Sequence, residues 1–288
     1  LLMFYFASFP MLSNAMMLQL GGVLLFLLMQ GYAAYLKRQE GTAALWWGGL
    51  IALKLFPGLL ILYAWVNQRY RLSVMMAGVA LLFTCLPLGW IPLAVYKHYM
   101  TVITHQVSWY GTNWNFSYLG ELYRGFVVTF PSGSYYHYYH TWLLSKTTLG
   151  WLYALGAGAL VGWWCLRARY FERNSPHQGF SVAILVMLFL SPLAWLYYFP
   201  LLLIPVLCTL MDGIERSWRL VIWFLSITLF YVPEPAAQTI MPAGWAIRLG
   251  LSSVYSYGFL ILSYLTCTLP AGTDPCKLRW ENIPSALK

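Results

Sequence analysis

Thr42-Ala43-Ala44-Leu45-Trp46-Trp47-Gly48-Gly49-Leu50-Ile51-Ala52-Leu53-Lys54-Leu55-Phe56-Pro57 is the stretch on which the fold turns. It opens an apolar run, residues 43–66, long enough for a membrane helix, which needs about 20 residues. Lys54 and Pro57 split that run. An ammonium among apolar side chains costs roughly 2.5–3.5 kcal/mol on insertion scales, and proline takes an amide hydrogen out of the helical ladder. Counted as a full crossing, the run would put Lys37-Arg38 and Arg69/Arg71 on opposite sides, against the tendency of Lys and Arg to stay cytoplasmic. Read as a hairpin that enters and returns, it keeps both basic loops on one side. The run 180–211 is interrupted in the same way by Ser191-Pro192, and reads as two short helices meeting at residues 191–195.

Further apolar runs lie at 15–36, 72–95, 147–166 and 249–269, with a shorter one at 220–232. Of the 288 residues 60% are hydrophobic and 9% charged, against about 25% charged in an average soluble domain. So few charges cannot cover a surface for water, which excludes a soluble globular protein. The expected fold is all-α: a polytopic transmembrane helical protein with broken or re-entrant helices. With both hairpins in place, Lys37, Arg38, Arg69, Arg71, Arg167, Arg169, Arg173, Arg216, Arg219, Lys277, Arg279 and Lys288 fall on the cytoplasmic side, 12 of the 17 basic residues. Lys97, Arg124, Lys146 and Arg248 fall outside, and Lys54 sits at membrane depth. Topology thus accounts for the formal charge of +9, and no nucleic-acid partner is expected. Residues 1–268 are expected to form the membrane core, with 96–146 as an extracytoplasmic loop, and 269–288 a cytoplasmic tail. Leu1 to Phe9 reads as the last turns of a helix, so a fragment lacking its N-terminal spans is expected.

Lys54, held at a helix break, suits the phosphate of a lipid-linked substrate as a point charge; snorkelling to the interface is the bland alternative. In the outer loop, Asn115-Phe116-Ser117-Tyr118-Leu119-Gly120-Glu121-Leu122-Tyr123-Arg124 reads as a short helix opening at Asn115. Capping accounts for Asn115 and Ser117. Arg124 offers a planar fork for phosphate oxygens, or a solvated headgroup contact. Glu121, three residues before Arg124, fits an intrahelical ion pair. Glu234 lies between two prolines, so neither outer carboxylate stands out as a general base. His137 and His140 would share a helix face, but no carboxylate or third ligand is in register with them, and the five cysteines form no CxxC. No metal site is expected. The Tyr- and Trp-rich stretch around these histidines suits the headgroup layer, or the lining of a sugar pocket.

Three segments together resemble glycosyltransferase family 87, integral-membrane, polyprenyl-phosphate-dependent enzymes of the GT-C class. Residues 42–57, followed by Arg69-Tyr70-Arg71, resemble its small-residue-rich helix, Lys-x-x-Pro break and basic loop. Asn115-Phe116-Ser117-Tyr118-Leu119 with Arg124 resembles its Asn-Gln-Ser-Leu…Arg segment. Leu190-Ser191-Pro192-Leu193-Ala194-Trp195-Leu196-Tyr197-Tyr198 resembles its Ser-Pro-x-Ser-Trp-x-His-His segment, and Leu20-Gly21-Gly22 is a looser echo of its Gly-Gln-x-Asn pattern. The chain departs from the family at Gly22 and Phe116, where Gln is usual, and at Tyr197-Tyr198, which replace His-His.

The resemblance implies a GT-C-like fold in the plasma membrane, with the active site facing the extracytoplasmic side. The implied reaction transfers a hexose, mannose above others, from a polyprenyl-phosphate donor to an acceptor hydroxyl with inversion. Lys54 and Arg124 are then the candidates for the donor phosphate. Asn115, Ser117, His137, His140, Ser191, Trp195, Tyr197 and Tyr198 line the candidate cavity, and Trp109, Trp114 and Trp195 offer rings for sugar faces. The implied catalytic Asp lies upstream of Leu1, with Glu121 as the fallback within the chain. The expected partners are membrane lipid, the lipid-linked donor and a glycan or glycolipid acceptor, with no cofactor. Two other readings stay open: a transporter or flippase for lipid-linked sugars, which also uses broken helices and intramembrane cations, and a noncatalytic paralogue.

Overall fold

Backbone groups that face lipid must bond within their own segment, and most of the described chain does so as helix. The computed structural model describes residues 19–105, 110–112, 114–131, 138–232 and 254–269. Helix α1 spans Gly21–Leu36 and α2 spans Glu40–Leu53; the Trp47 indole of α2 donates to the Leu28 carbonyl of α1 at 3.1 Å. Lys54 ends α2 in an extended conformation (φ −147°, ψ 129°). A 3-10 turn at Phe56–Gly58, with Pro57 near its start, leads into α3, Leu59–Val66.

The turns after α1 and α3 are built alike. Gln39 N–H closes on Ala34 O and Arg69 N–H on Ala64 O, each at 2.9 Å, around left-handed Arg38 (φ 57°) and Gln68 (φ 62°). This is the Schellman closure, and both turns line one cavity. Residues 40–66 therefore form a helical hairpin that leaves and returns at one end of the bundle. Helix α4, Tyr70–Cys85, packs against α2, where a Cβ on Gly48 would stand 2.7 Å from Val79 Cβ. Close approach of the two backbones requires the glycine.

The run 72–95 is not one helix. A 3-10 turn at Leu86–Gly89 follows α4, and α5 (Leu93–His105) starts afresh after Pro92, because prolines at 87 and 92 cannot donate to the preceding turn. After α6, Tyr118–Phe126, the chain forms two antiparallel strands, β1 (Val127–Pro131) and β2 (Tyr138–Trp142). The described chain is otherwise helical, as expected of an all-α fold, and this ribbon is a local addition; Val127-Val128-Thr129-Phe130 are β-branched and aromatic residues that fit a pleated surface. It also removes the helix face expected for the two histidines, since His140 lies on β2 opposite Thr129 and His137 lies outside the described residues.

Helix α7, Lys146–Asn174, is capped by Ser145, whose Oγ accepts from Thr148 N–H at 3.0 Å. Helix α8, Pro176–Leu190, starts on a proline whose missing amide hydrogen costs nothing there. A 3-10 segment (Leu196–Leu202), then α9 (Leu203–Glu215), α10 (Ser217–Leu229) and α11 (Val254–Cys267), complete the described chain. Residues 178–188 of α8 are all buried, so α8 is the axis of the bundle. Gln178 near its start donates to Thr266 O, and Arg219 on α10 donates to Leu265 O. Those helix ends therefore lie on the same side as the two Schellman turns.

Two helical segments among the described residues, Tyr70–Gly89 and Lys146–Asn174, are long and apolar enough to cross a membrane. Both expose large apolar side chains, including Leu81 and Leu166, the surface that lipid rather than water tolerates.

Candidate functional site

At the other end of the bundle, Ser191-Pro192 terminates α8. A residue before proline is pushed out of the helical region, and Ser191 is extended (φ −61°, ψ 127°). The freed segment is gripped by the loop that precedes α6. Phe116 N–H donates to Ala194 O at 3.0 Å and Leu196 N–H to Trp114 O at 3.1 Å, with an antiparallel bridge between Asn115 and Trp195.

Asn115 is fully buried and uses its whole amide. Nδ2 donates to Tyr110 O (2.9 Å) and Pro192 O (3.0 Å), while Oδ1 accepts from Ala194 N–H (2.9 Å) and Ser117 N–H (3.2 Å). Asn115 is therefore not the helix cap the sequence suggested. Ser117 is the cap: its Oγ accepts from Gly120 N–H at 3.0 Å and donates to Pro192 O at 3.2 Å. Gly120 is required by close approach, because a Cβ there would lie 2.6 Å from Asn115 O.

Arg124 is buried, not exposed as expected of an interfacial helix. Its Nη1 donates to Thr112 O (2.6 Å) and Asn115 O (2.7 Å), and its Nη2 to Ser256 Oγ on α11 (3.1 Å) and to Glu121 in an ion pair. A guanidinium out of water needs acceptors for its donors, and here two backbone carbonyls of the loop, a hydroxyl of α11 and the Glu121 carboxylate supply them. The expected Glu121–Arg124 pair is thus part of a clamp that ties the loop to α6 and α11. Ser256, absent from the sequence reading, carried one signal: a hydroxyl inside an apolar helix faces other helices.

Lys54 is built differently. Half-buried, with its Nζ 5.9 Å from the centre of the Tyr198 ring, it has no hydrogen-bond or ion-pair partner among the described residues. Tyr198 also packs on Phe56, at 4.7 Å between ring centres, so the breaks at 54–57 and 191–198 meet. Beside them Trp195 and Trp114 set their edges against Tyr197, at 5.7 and 6.3 Å. The structure thus brings together Asn115, Ser117, Trp195 and Tyr197 with Pro192 of the Ser191-Pro192 break, and separately Lys54 with Tyr198. Arg124 joins the first group from behind. Trp109, His137, Glu234 and residues 270–288 lie outside the described residues, and the side chain of His140 is not described.

A cluster of rings around a loop clasp, beside a cation with no acceptor among the described residues, can hold a flat apolar sugar face and an anion. The sequence profile of glycosyltransferase family 87 matches residues 1–194, a span that includes Lys54, the 115–124 segment and the Ser191-Pro192 break. Comparison with curated proteins and with solved structures finds no significant match. The profile covers 194 of the 288 residues, and the chain belongs to glycosyltransferase family 87: it is a glycosyltransferase.

Proposed function

We propose that the enzyme is a multi-pass plasma-membrane protein of GT-C type that transfers a hexose, mannose, from a polyprenyl-phosphate donor to an acceptor hydroxyl on the extracytoplasmic side, with inversion. The observation that carries this reading is Lys54: an ammonium at a helix break, against an aromatic ring, with no protein acceptor among the described residues. The lipid phosphate is the leaving group, and a fixed positive charge beside it stabilises the anion as it develops. Tyr198 holds the ammonium through its ring face. Trp114, Trp195 and Tyr197 offer surfaces for the sugar.

Asn115, Ser117 and Ser191 shape the clasp that presents those rings. Arg124 serves the same clasp from behind, since its terminal nitrogens are spent on protein acceptors. His137 and His140 remain candidates on the acceptor side, and no cofactor is assigned. Glu121 is committed to Arg124, which leaves the acceptor's proton to a carboxylate outside the described residues. The partners are membrane lipid, the lipid-linked donor and a glycan or glycolipid acceptor.

Lys54→Met tests the reading in membranes supplied with polyprenyl-phosphate mannose. Transfer falls by about a hundredfold, in the range for losing one preorganised electrostatic group, while insertion and thermal stability hold. A wild-type rate in Lys54→Met would remove the ammonium from the site.

A further inference from the structure

The basic end of the bundle, where α1 turns into α2, α3 into α4 and α7 into α8, borders an open cavity of about 540 Å3. Its wall carries Arg38, Arg69, Arg169 and Arg173 against Glu40 and Glu172, an excess of two positive charges. The carboxylates offset only part of the arginine charge, and neither forms a close ion pair with it. Glu172 spends Oε1 on the Tyr35 hydroxyl at 2.9 Å and Oε2 on the Tyr63 hydroxyl, and neither Glu172 nor Glu40 is ion-paired among the described residues. Arg69 is held in place by its bond to Tyr35 O at 2.7 Å and by stacking 3.7 Å over the Tyr35 ring. Arg169 is anchored through Nε to Val66 O at 2.8 Å. Arg38 and Arg173 are exposed, with no hydrogen-bond or ion-pair partner among the described residues.

The walls are costly to build. Arg38 and Gln68 hold left-handed conformations where glycine is usual, at roughly 1–2 kcal/mol each. Both polar atoms of the Asn67 side chain are shielded without a hydrogen-bond partner among the described residues, as are Asn174 Nδ2 and Ser175 Oγ at the α7–α8 junction. Such costs gather at ligand sites. Around the same end Trp65, Tyr70 and Tyr170 are exposed, the aromatic types that sit at the headgroup level of a bilayer.

We propose that this cavity is a phosphate-binding site, filled by the headgroup of an acidic phospholipid. Two fixed guanidinium groups and two unpartnered ones surround a space open to the membrane surface, and a planar fork matches phosphate oxygens. Basic pockets between membrane helices take acidic headgroups for this reason. The site lies at the far end of α2 from Lys54; the 14 residues of α2 span about 21 Å, so it is separate from the proposed donor site.

The full chain in neutral detergent is titrated with short-chain phosphatidylglycerol, short-chain phosphatidylcholine or inorganic phosphate, and binding is read from the rise in unfolding temperature. Phosphatidylglycerol binds and phosphatidylcholine, whose choline cancels the charge, does not. R38Q weakens phosphatidylglycerol about fivefold and R38Q/R173Q about 25-fold, the scale of one charge each at an anionic surface. Both side chains are exposed, so their removal leaves the fold intact. R71Q, an exposed arginine outside the cavity, stays within about twofold of wild type on the same scale. Inorganic phosphate binding as tightly as phosphatidylglycerol, and lost in R38Q/R173Q, supports the phosphate site with a soluble anion as its source. Equal binding of the two lipids, or an R71Q loss as large as that of R38Q/R173Q, overturns the proposal, since diffuse surface charge would then explain the attraction.

Discussion

Replacing Asn115 by alanine removes four hydrogen bonds at once, and their fates differ. Tyr110 O is only partly buried, and Pro192 O keeps the Ser117 hydroxyl. The amides of Ser117 and Ala194 are buried and lose the acceptor they share. A buried donor left without an acceptor costs about 1–3 kcal/mol; two such donors, with some relaxation of the loop, give about 3 kcal/mol for opening the clasp. At 1.4 kcal/mol per decade, that speeds hydrogen exchange at these two amides by about a hundredfold. The assay is amide exchange followed by mass spectrometry in detergent, reading peptides across 114–118 and 191–198, with glycosyl transfer measured in parallel. Asn115→Asp sharpens it. The carboxylate keeps an acceptor for both amides, but turns an oxygen on the two carbonyls that Nδ2 now reaches at 2.9 and 3.0 Å. An uncompensated buried charge costs about 3–5 kcal/mol, so the aspartate variant opens at least as readily as the alanine. Exchange in Asn115→Ala within about threefold of wild type, well under the 1.4 kcal/mol decade, or an aspartate variant protected better than the alanine, would refute the clasp.

Arg124→Lys lowers the unfolding temperature with no donor present, because one ammonium cannot serve two carbonyls, Ser256 and Glu121 together; unchanged stability with a weakened donor KM would return Arg124 to direct anion contact. Gly48→Val costs about 1–3 kcal/mol of stability by overpacking α2 on α4, since even its Cβ falls 2.7 Å from Val79; a wild-type thermal midpoint would mean that the helices part without cost. Single cysteines at Gly41 and Gln68 are both protected from an impermeant outside label, while one at Ser132 reacts; labelling at Gly41 but not at Gln68 would undo the hairpin at Lys54–Pro57, and labelling at both with Ser132 protected would invert the proposed orientation.

Both helix breaks were legible in the sequence because their causes are local. A proline lacks its amide hydrogen wherever it stands, and Lys54 and Pro57, or Ser191 and Pro192, announce a break without reference to any partner. The ion pair of Glu121 with Arg124 was legible for the same reason, as a spacing along one helix. Asn115 was not. Its partners Pro192 and Ala194 lie 77 and 79 positions away, and as a polar residue before a helix it looked like a cap, the role that Ser117 fills two residues later. The burial of Arg124 was hidden too, since two of its four acceptors are backbone carbonyls, which carry no side-chain signature, and another is Ser256, 132 positions on. The pairing of β1 with β2 was not legible, because the tyrosines and tryptophans of the same stretch suit a membrane interface equally well and so mask the signal of its β-branched residues.

The two breaks matter together more than apart. Helix α2 has 14 residues and α8 has 15, about 21 and 22 Å at 1.5 Å per residue, whereas a bilayer core is about 30 Å thick. Starting from the basic end, neither helix crosses. Under the proposed orientation each stops several ångströms short of the outer boundary, and the backbone freed at each stop must find hydrogen bonds away from lipid. At 191–196 those bonds come from the outer loop through Trp114, Asn115 and Phe116, which draws the loop's rings down over the end of the bundle. At Lys54 the chain turns at once into the 3-10 turn of Phe56–Gly58, and the ammonium stands 5.9 Å from the centre of the Tyr198 ring. The shortness of the two helices therefore leaves the Lys54–Tyr198 contact and the rings of Trp114, Trp195 and Tyr197 at one end of the bundle, inside the outer boundary under the proposed orientation.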